Sequence, residues 1–243
     1  MNETTLTVAS LPTVRPNTAT MRALRPLLRT ATFCIAATAA LCLAAAGARA
    51  DMVDQGPDVF NTLTIRSNNM APFPKWRGAL ERYFTESRTP RQPCSPGLFT
   101  ECPVEDWLAF LQSVAGSTPE RKLREVNAFH NRARYILDMV NWGIEDYWAS
   151  PYQFFRKDGD CEDYAIAKFM SLRALGFSND QMRIVVLRDL NLRVAHAILV
   201  VDLNGEKYVL DNQIRAAVPA GVIHHYQPIY SVNETHWWLH RKG

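Results

Sequence analysis

From residue 70 onward the apolar positions fall first at helical and then at strand spacing. Pro74 to Glu86 carries Trp76, Leu80, Tyr83 and Phe84 and predicts a short amphipathic helix. Val104 to Ala115 places Trp107, Leu108, Leu111 and Ala115 on one face, a second helix. Ser117 and Glu120 read as a capping box, with Pro119 tolerated in the first turn, and open a third. Its stripe is Leu123, Val126, Phe129, Ala133, Ile136, Leu137 and Val140, so the pattern carries it to about Tyr147, with His130 at its edge. Trp148-Ala149-Ser150-Pro151 then breaks the helix and leads into an acidic loop. A last helix follows, with Ala165, Phe169 and Leu172 on its apolar face and Gly176 as its stop. Asp160 suits its N-cap, and Asp163 stands three residues on in an imperfect capping box.

Beyond Gly176 the period changes. Arg183 to Leu187, Val194 to Leu203 and Lys207 to Asp211 are rich in β-branched and apolar residues, and the aromatic stretch Val222 to Trp238 predicts further strands. Asp51 to Asn69 is polar with scattered apolar residues and reads as an extended arm. Helices first, then antiparallel strands, make an α+β domain. Asn204-Gly205 is a strong hairpin signal, and as a two-residue turn it pairs Leu203 with Glu206. In that register Ile198 faces Asp211 and His196 faces Gln213. His196 and Asp211 become diagonal neighbours on one face, within reach of each other's side chains.

Composition changes the picture mainly at the N-terminus. Arg22, Arg25 and Arg29 precede an uncharged apolar run from Ala31 to Ala46, and Ala48-Arg49-Ala50 has the form of a signal-peptidase site. The run is about 16 residues, short of the ~20 that span a bilayer. The expected organisation is a leader and cleavable signal peptide over 1–50, starting at Met1 or Met21, and a single domain over 51–243 in an exported, periplasmic protein with no stable membrane span. Removing the five arginines and one glutamate of residues 1–50 leaves 22 basic and 23 acidic residues. The positive charge thus belongs to the leader, and no basic cluster interleaved with aromatics argues for nucleic acid. Of five cysteines, Cys34 and Cys42 lie in the leader, Cys94 and Cys102 bracket a Pro/Gly loop suited to a local disulfide, and Cys161 is left over.

Cys161 falls in the first turn of the last helix, where free N–H groups and the helix dipole favour a thiolate. A nucleophilic cysteine needs a base and a group to orient that base. Cys161, His196 and Asp211 supply these roles. Separately, each has a plain structural reading: a buried cysteine, a satisfied core histidine, a polar strand end. The obstacle is charge, because Asp158, Asp160, Glu162 and Asp163 put four carboxylates within six residues of the loop and raise a thiol pKa. Ca²⁺, a hard cation with oxygen ligands, would offset them, Asp160 and Glu162 being the first candidates. A solvated acidic loop is the competing account.

Gly159-Asp160-Cys161-Glu162-Asp163-Tyr164-Ala165, Ala195-His196-Ala197, Leu210-Asp211-Asn212 and Trp148-Ala149-Ser150-Pro151 together resemble the bacterial transglutaminase-like cysteine proteinases over most of residues 70–240. In the last element Ser150 stands where that family has threonine. The resemblance implies a papain-like, transglutaminase-like fold, a Cys161-His196-Asp211 triad, and Ca²⁺ held by Asp160 and Glu162. It also implies a protein substrate: a large RTX-type surface adhesin cleaved at a double-alanine site to control biofilm attachment. An inner-membrane cyclic-di-GMP receptor is the implied regulator. The Cys94–Cys102 loop has no counterpart in the family pattern. Three other readings use the same residues: a transglutaminase-type acyl transferase, a non-catalytic calcium-binding adaptor, and a zinc hydrolase using Cys161, His196 and His224 or His225. The last lacks the usual zinc spacing.

Overall fold

The computed structural model describes residues 53–54, 58–92, 94–97 and 101–242; the expected leader and signal peptide lie outside them. Among the described residues the chain runs β1 (Val53–Asp54), β2 (Thr62–Ser67), α1 (Pro74–Arg88), α2 (Pro103–Val114), α3 (Pro119–His130), α4 (Asp138–Trp142), α5 (Pro151–Lys157), α6 (Cys161–Ala174), β3 (Met182–Asp189), β4 (Val194–Leu203), β5 (Glu206–Leu210), β6 (Val218–Pro219), β7 (Tyr226–Val232) and β8 (Trp237–Lys242). The strands form one antiparallel sheet of order β1-β2-β8-β7-β3-β4-β5-β6. This is the expected α+β arrangement of helices followed by an antiparallel sheet.

Helix α6 is the hub. Every residue from Glu162 to Leu172 is buried, because α3 and α5 cover one side of the helix and β3 and β4 the other. Its apolar residues join Trp76, Trp107, Leu123, Ile184, Leu199 and Val201 in the main core. The opposite face of the sheet is covered too: Val185, Leu187, Ile198, Val200 and Val209 pack under Val59, Ala220 and Ile223. Burial on both faces explains why β4 reads as a continuous apolar run instead of an alternating one. The Asn204-Gly205 turn has both residues at positive φ, +57° and +86°, and the pairing is as expected, Leu203 with Glu206 through Leu199 with Leu210. Cys94 and Cys102 are joined by a disulfide.

Four local expectations are corrected. The arm before residue 70 is extended, but its second half is β2, paired along its length with β8, and Thr62 and Thr64 are buried there. The third helix is capped by Thr118, whose side chain accepts from the Arg121 N–H, and not by Ser117. That helix also stops at His130. Residues 131–137 cross to the nucleophile loop, where the Ile136 N–H donates to the Gly159 carbonyl at 2.9 Å. The continuing apolar stripe is therefore surface: Leu137 is 56% and Val140 75% exposed. Finally, Ser150-Pro151 does not simply break a helix but starts α5, with Ser150 and Gln153 in a capping box and proline at the first position.

Candidate active site

The nucleophile loop joins α5 to α6. Asp158 sits at φ +61° and is tied to Arg134 through both the backbone N–H (3.1 Å) and Nε (2.8 Å). Gly159 must be glycine, since a Cβ there would lie 2.3 Å from Asp163 Oδ2. Asp163 is fully buried and accepts the Ala149 N–H at 2.7 Å, which fixes the Trp148-Ala149 segment against the start of α6. It braces this segment and takes no part in a capping box. Asp160 occupies the N-cap position as expected, but its carboxylate caps no helical N–H. It turns instead toward Asp138, whose N–H it accepts at 3.4 Å.

Asp138 is the residue that sequence reasoning missed. Its carboxylate, with those of Asp160 and Glu162, places three buried oxygens within 4.8 Å of one another. Like charges this close in a buried site resist ionisation. Burial, opposed by the Tyr147 N–H and reinforced by the Asp160 charge, pushes Asp138 up to about 6. Burial and Asp160 push Glu162 up to about 8, and burial raises Asp160. Oδ1 of Asp138, Oδ1 of Asp160 and Oδ2 of Asp163 are buried without a hydrogen-bond partner. Unsatisfied buried oxygens on Asp138 and Asp160, clustered with the Glu162 carboxylate, match the donor set of a hard divalent cation, so the residues present fit Ca²⁺. The other close cluster of such groups among the described residues, Cys94, Cys102 and Glu105, has its two sulfurs in the disulfide.

Cys161 opens α6, and its Sγ donates to Glu162 Oε2 at 3.2 Å. Burial, then the charges of Glu162 and Asp160, hold the thiol far above its usual range; the Ala197 backbone opposes this. Ala197 adjoins His196, so this stretch of β4 passes beside the start of α6. His196 Nε2 lies 3.0 Å from Asp211 Oδ1, with both side chains buried. The diagonal placement expected from the hairpin therefore produces a direct contact. Asp211 also accepts the Gln213 N–H at 2.8 Å and, on Oδ2, the Tyr226 hydroxyl at 2.5 Å. Burial pushes its pKa up, but the His196 hydrogen bond and charge, Tyr226 and Gln213 outweigh this and hold the carboxyl below its ordinary value.

The loop after Asp211 is fastened from α3. Asn131 donates to the carbonyls of Asp211 (2.8 Å) and Ile214 (3.2 Å), and Asn127 to those of Ile214 and Arg215. Asn127 in turn accepts from Lys168 Nζ at 2.8 Å. Lys168 is fully buried, and burial lowers its pKa to about 7 against an opposing contribution from Asp211. His130 is not at a helix edge but fully buried, with Nδ1 2.7 Å from the Val126 carbonyl and Nε2 2.9 Å from Ser171 Oγ. His224 and His225 share no cluster of candidate metal ligands with Cys161 or His196 among the described residues.

The sequence profile of the bacterial transglutaminase-like cysteine proteinases (BTLCP) matches residues 100–240. The chain belongs to that family. It is a cysteine peptidase with a papain-like, transglutaminase-like fold. Legionella pneumophila LapG has a similar structure, with 33% identity, a TM-score of 0.51, and coverage of 55% of this chain and 76% of LapG. A calcium-bound LapG structure gives the same values. An EGTA-treated LapG structure is 32% identical over 56% of this chain and 75% of LapG, also at a TM-score of 0.51. No curated protein matches the chain. Among the described residues no helix is long and apolar enough to cross a membrane.

Proposed function

We propose that this BTLCP peptidase is a calcium-dependent periplasmic endopeptidase that uses Cys161, His196 and Asp211. The observation that carries the reading is the Asp138/Asp160/Glu162 cluster beside a thiol whose pKa is raised by burial and then by Glu162 and Asp160. Asp138, Asp160 and Glu162 would hold the cation, whose charge offsets the carboxylates that oppose a thiolate at Cys161. The existence of a calcium-bound LapG structure supports that choice of metal.

The protein's own groups then divide the work. Asp211 accepts the Nε2 proton of His196, which fixes the tautomer and leaves Nδ1 to take the proton of Cys161. Sγ attacks the peptide carbonyl carbon, and the Cys161 backbone N–H at the start of α6 can stabilise the oxyanion. His196 returns the proton to the leaving amine as the peptide C–N bond breaks, leaving a thioester. With His196 as base, water then attacks the thioester and releases the second product and the free thiol.

The family resemblance supports a large RTX-type surface adhesin as substrate and an inner-membrane cyclic-di-GMP receptor as regulator. The leader over residues 1–50 supports export. Incubating the purified 51–243 chain with the N-terminal segment of such an adhesin, with calcium and with EGTA, tests the reading by fragment mass. One discrete internal cleavage in calcium that disappears in EGTA is expected. Equal cleavage in both would remove the calcium requirement, and no cleavage in either would remove the substrate.

A further inference from the structure

The carboxylate of Asp211 is engaged on both oxygens, and its outer one is held by a residue from a distant strand. Oδ1 takes His196 Nε2 at 3.0 Å and the Gln213 N–H at 2.8 Å, while Oδ2 takes the Tyr226 hydroxyl at 2.5 Å. Tyr226 opens β7 and is 6% exposed. Its ring packs edge-on against Phe60 and lies 5.9 Å from the His196 ring. One side chain thus touches both the orienting carboxylate and the imidazole it orients.

We infer that Tyr226 is a positioning residue of the triad, setting both the direction and the basicity of Asp211 toward His196. The inference rests on the proposed Cys161-His196-Asp211 mechanism. A carboxylate with a hydroxyl on its outer oxygen cannot rotate without losing a short charge-assisted hydrogen bond, so Oδ1 stays aimed at Nε2. The same bond draws charge from the carboxylate and weakens its hold on an imidazolium. Burial, then the Asp211 hydrogen bond, raises the Tyr226 pKa, so the phenol remains the donor throughout the working range. The other ionisable groups facing this assembly are Lys168 from α6, which acts on Asp211, Asp189 at the end of β3, which acts on Tyr226, and His225, whose ring lies 4.5 Å from that of Tyr226. Cys161 approaches from the start of α6 beside Ala197.

Tyr226→Phe removes the hydroxyl and keeps the ring. In the calcium-loaded protein it should lower kcat/KM about 10-fold, the scale of one charge-assisted hydrogen bond to a positioned group. It should also move the His196 imidazolium titration upward by roughly half a pH unit, read by NMR of the ring in a Cys161→Ala background. In an Asp211→Asn background the same substitution should leave that titration unmoved, since the effect travels through the carboxylate. If Tyr226→Phe changes thermal stability alone, with turnover and titration as in the parent, Tyr226 is structural and the inference fails. If Asp211→Asn is crippled while Tyr226→Phe is fully active, the inference fails and the triad stands. If Asp211→Asn is itself fully active, the triad reading fails.

Discussion

Two buried polar clusters border Cys161, and they are completed differently. In the Asp211 cluster the protein supplies the partners: His196, Gln213 and Tyr226 for the carboxylate, Asn131 for the backbone carbonyl. In the Asp138/Asp160/Glu162 cluster like charges face one another, and two of the three acids keep a buried oxygen with no partner. Folding alone satisfies the first. Under the proposed calcium dependence a cation would complete the second. In the proposed mechanism the first cluster orients the base and the second sets whether the nucleophile can ionise.

The comparison breaks most visibly at Asp211. Asp211→Asn keeps the size of the side chain but loses the charge and turns one acceptor oxygen into an NH₂ donor, so it cannot accept from both His196 Nε2 and the Tyr226 hydroxyl. Turnover should fall on the order of 10²-fold or more, with a cooperative melt retained. Wild-type cleavage by the folded variant would show that a complete cluster need not be a catalytic one.

Asp138→Asn should act with two signs. With calcium present it should weaken metal affinity on the order of 10-fold to 100-fold, because one anionic ligand is lost. In EGTA it should raise the melting temperature by a few degrees, because one member of a repelling buried group is gone. Tyr147 can still donate its N–H to the new amide oxygen, as it does to the carboxylate. A variant destabilised equally with and without calcium would make Asp138 a structural acid.

The two kinds of burial also give opposite pH responses. Asp138 and Glu162 are raised, to about 6 and about 8, mainly by burial. A raised carboxylate favours folding at low pH, so metal-free stability should be complete below the ordinary range near 4 and be lost as pH rises through 6 and 8. Calcium should flatten that slope. His130 is lowered to about 3 by burial, then by the nearby Lys168, so its contribution is complete above about 6.5 and is lost as pH falls toward 3. From pH 4 to about 6.5 the two responses oppose each other, and above it only the carboxylates act, so melting temperatures in EGTA should fall from about pH 6.5 to 8, and His130→Gln should steepen the fall below 6.5 while leaving it unchanged above. A metal-free melting temperature that rises from pH 6 to 9 would contradict the carboxylate account.

Much of this site could be read along the chain because local chemistry fixes it. An Asn-Gly turn needs positive φ at both positions, and that turn sets the register that brings His196 to Asp211. Cys161 could be placed because Asp160 and the run to Gly176 mark the start and stop of a helix. Asp138 was hidden for a physical reason. Ile136, Leu137 and Val140 prolong an apolar stripe that tertiary contacts with Gly159 override, so Asp138 read as one more polar position on a long helix. Tyr226 was hidden because β7 reaches Asp211 only through the strand order of the whole sheet. Asn127, Asn131 and Lys168 left one trace: polar residues on or beside apolar faces that the fold buries.

The central claim is that the acidic cluster controls ionisation of Cys161, and the direct measurement is the iodoacetamide alkylation rate of that thiol against pH. Asp160→Ala and Glu162→Ala serve as comparisons. In calcium the wild-type rate should be substantial near neutral pH. In EGTA the whole profile should shift to higher pH, and the two variants should follow the EGTA curve with little rescue by added calcium. Superimposable wild-type profiles in calcium and EGTA, with proteolysis undiminished by chelation, would show that the cluster neither holds a metal nor governs the nucleophile.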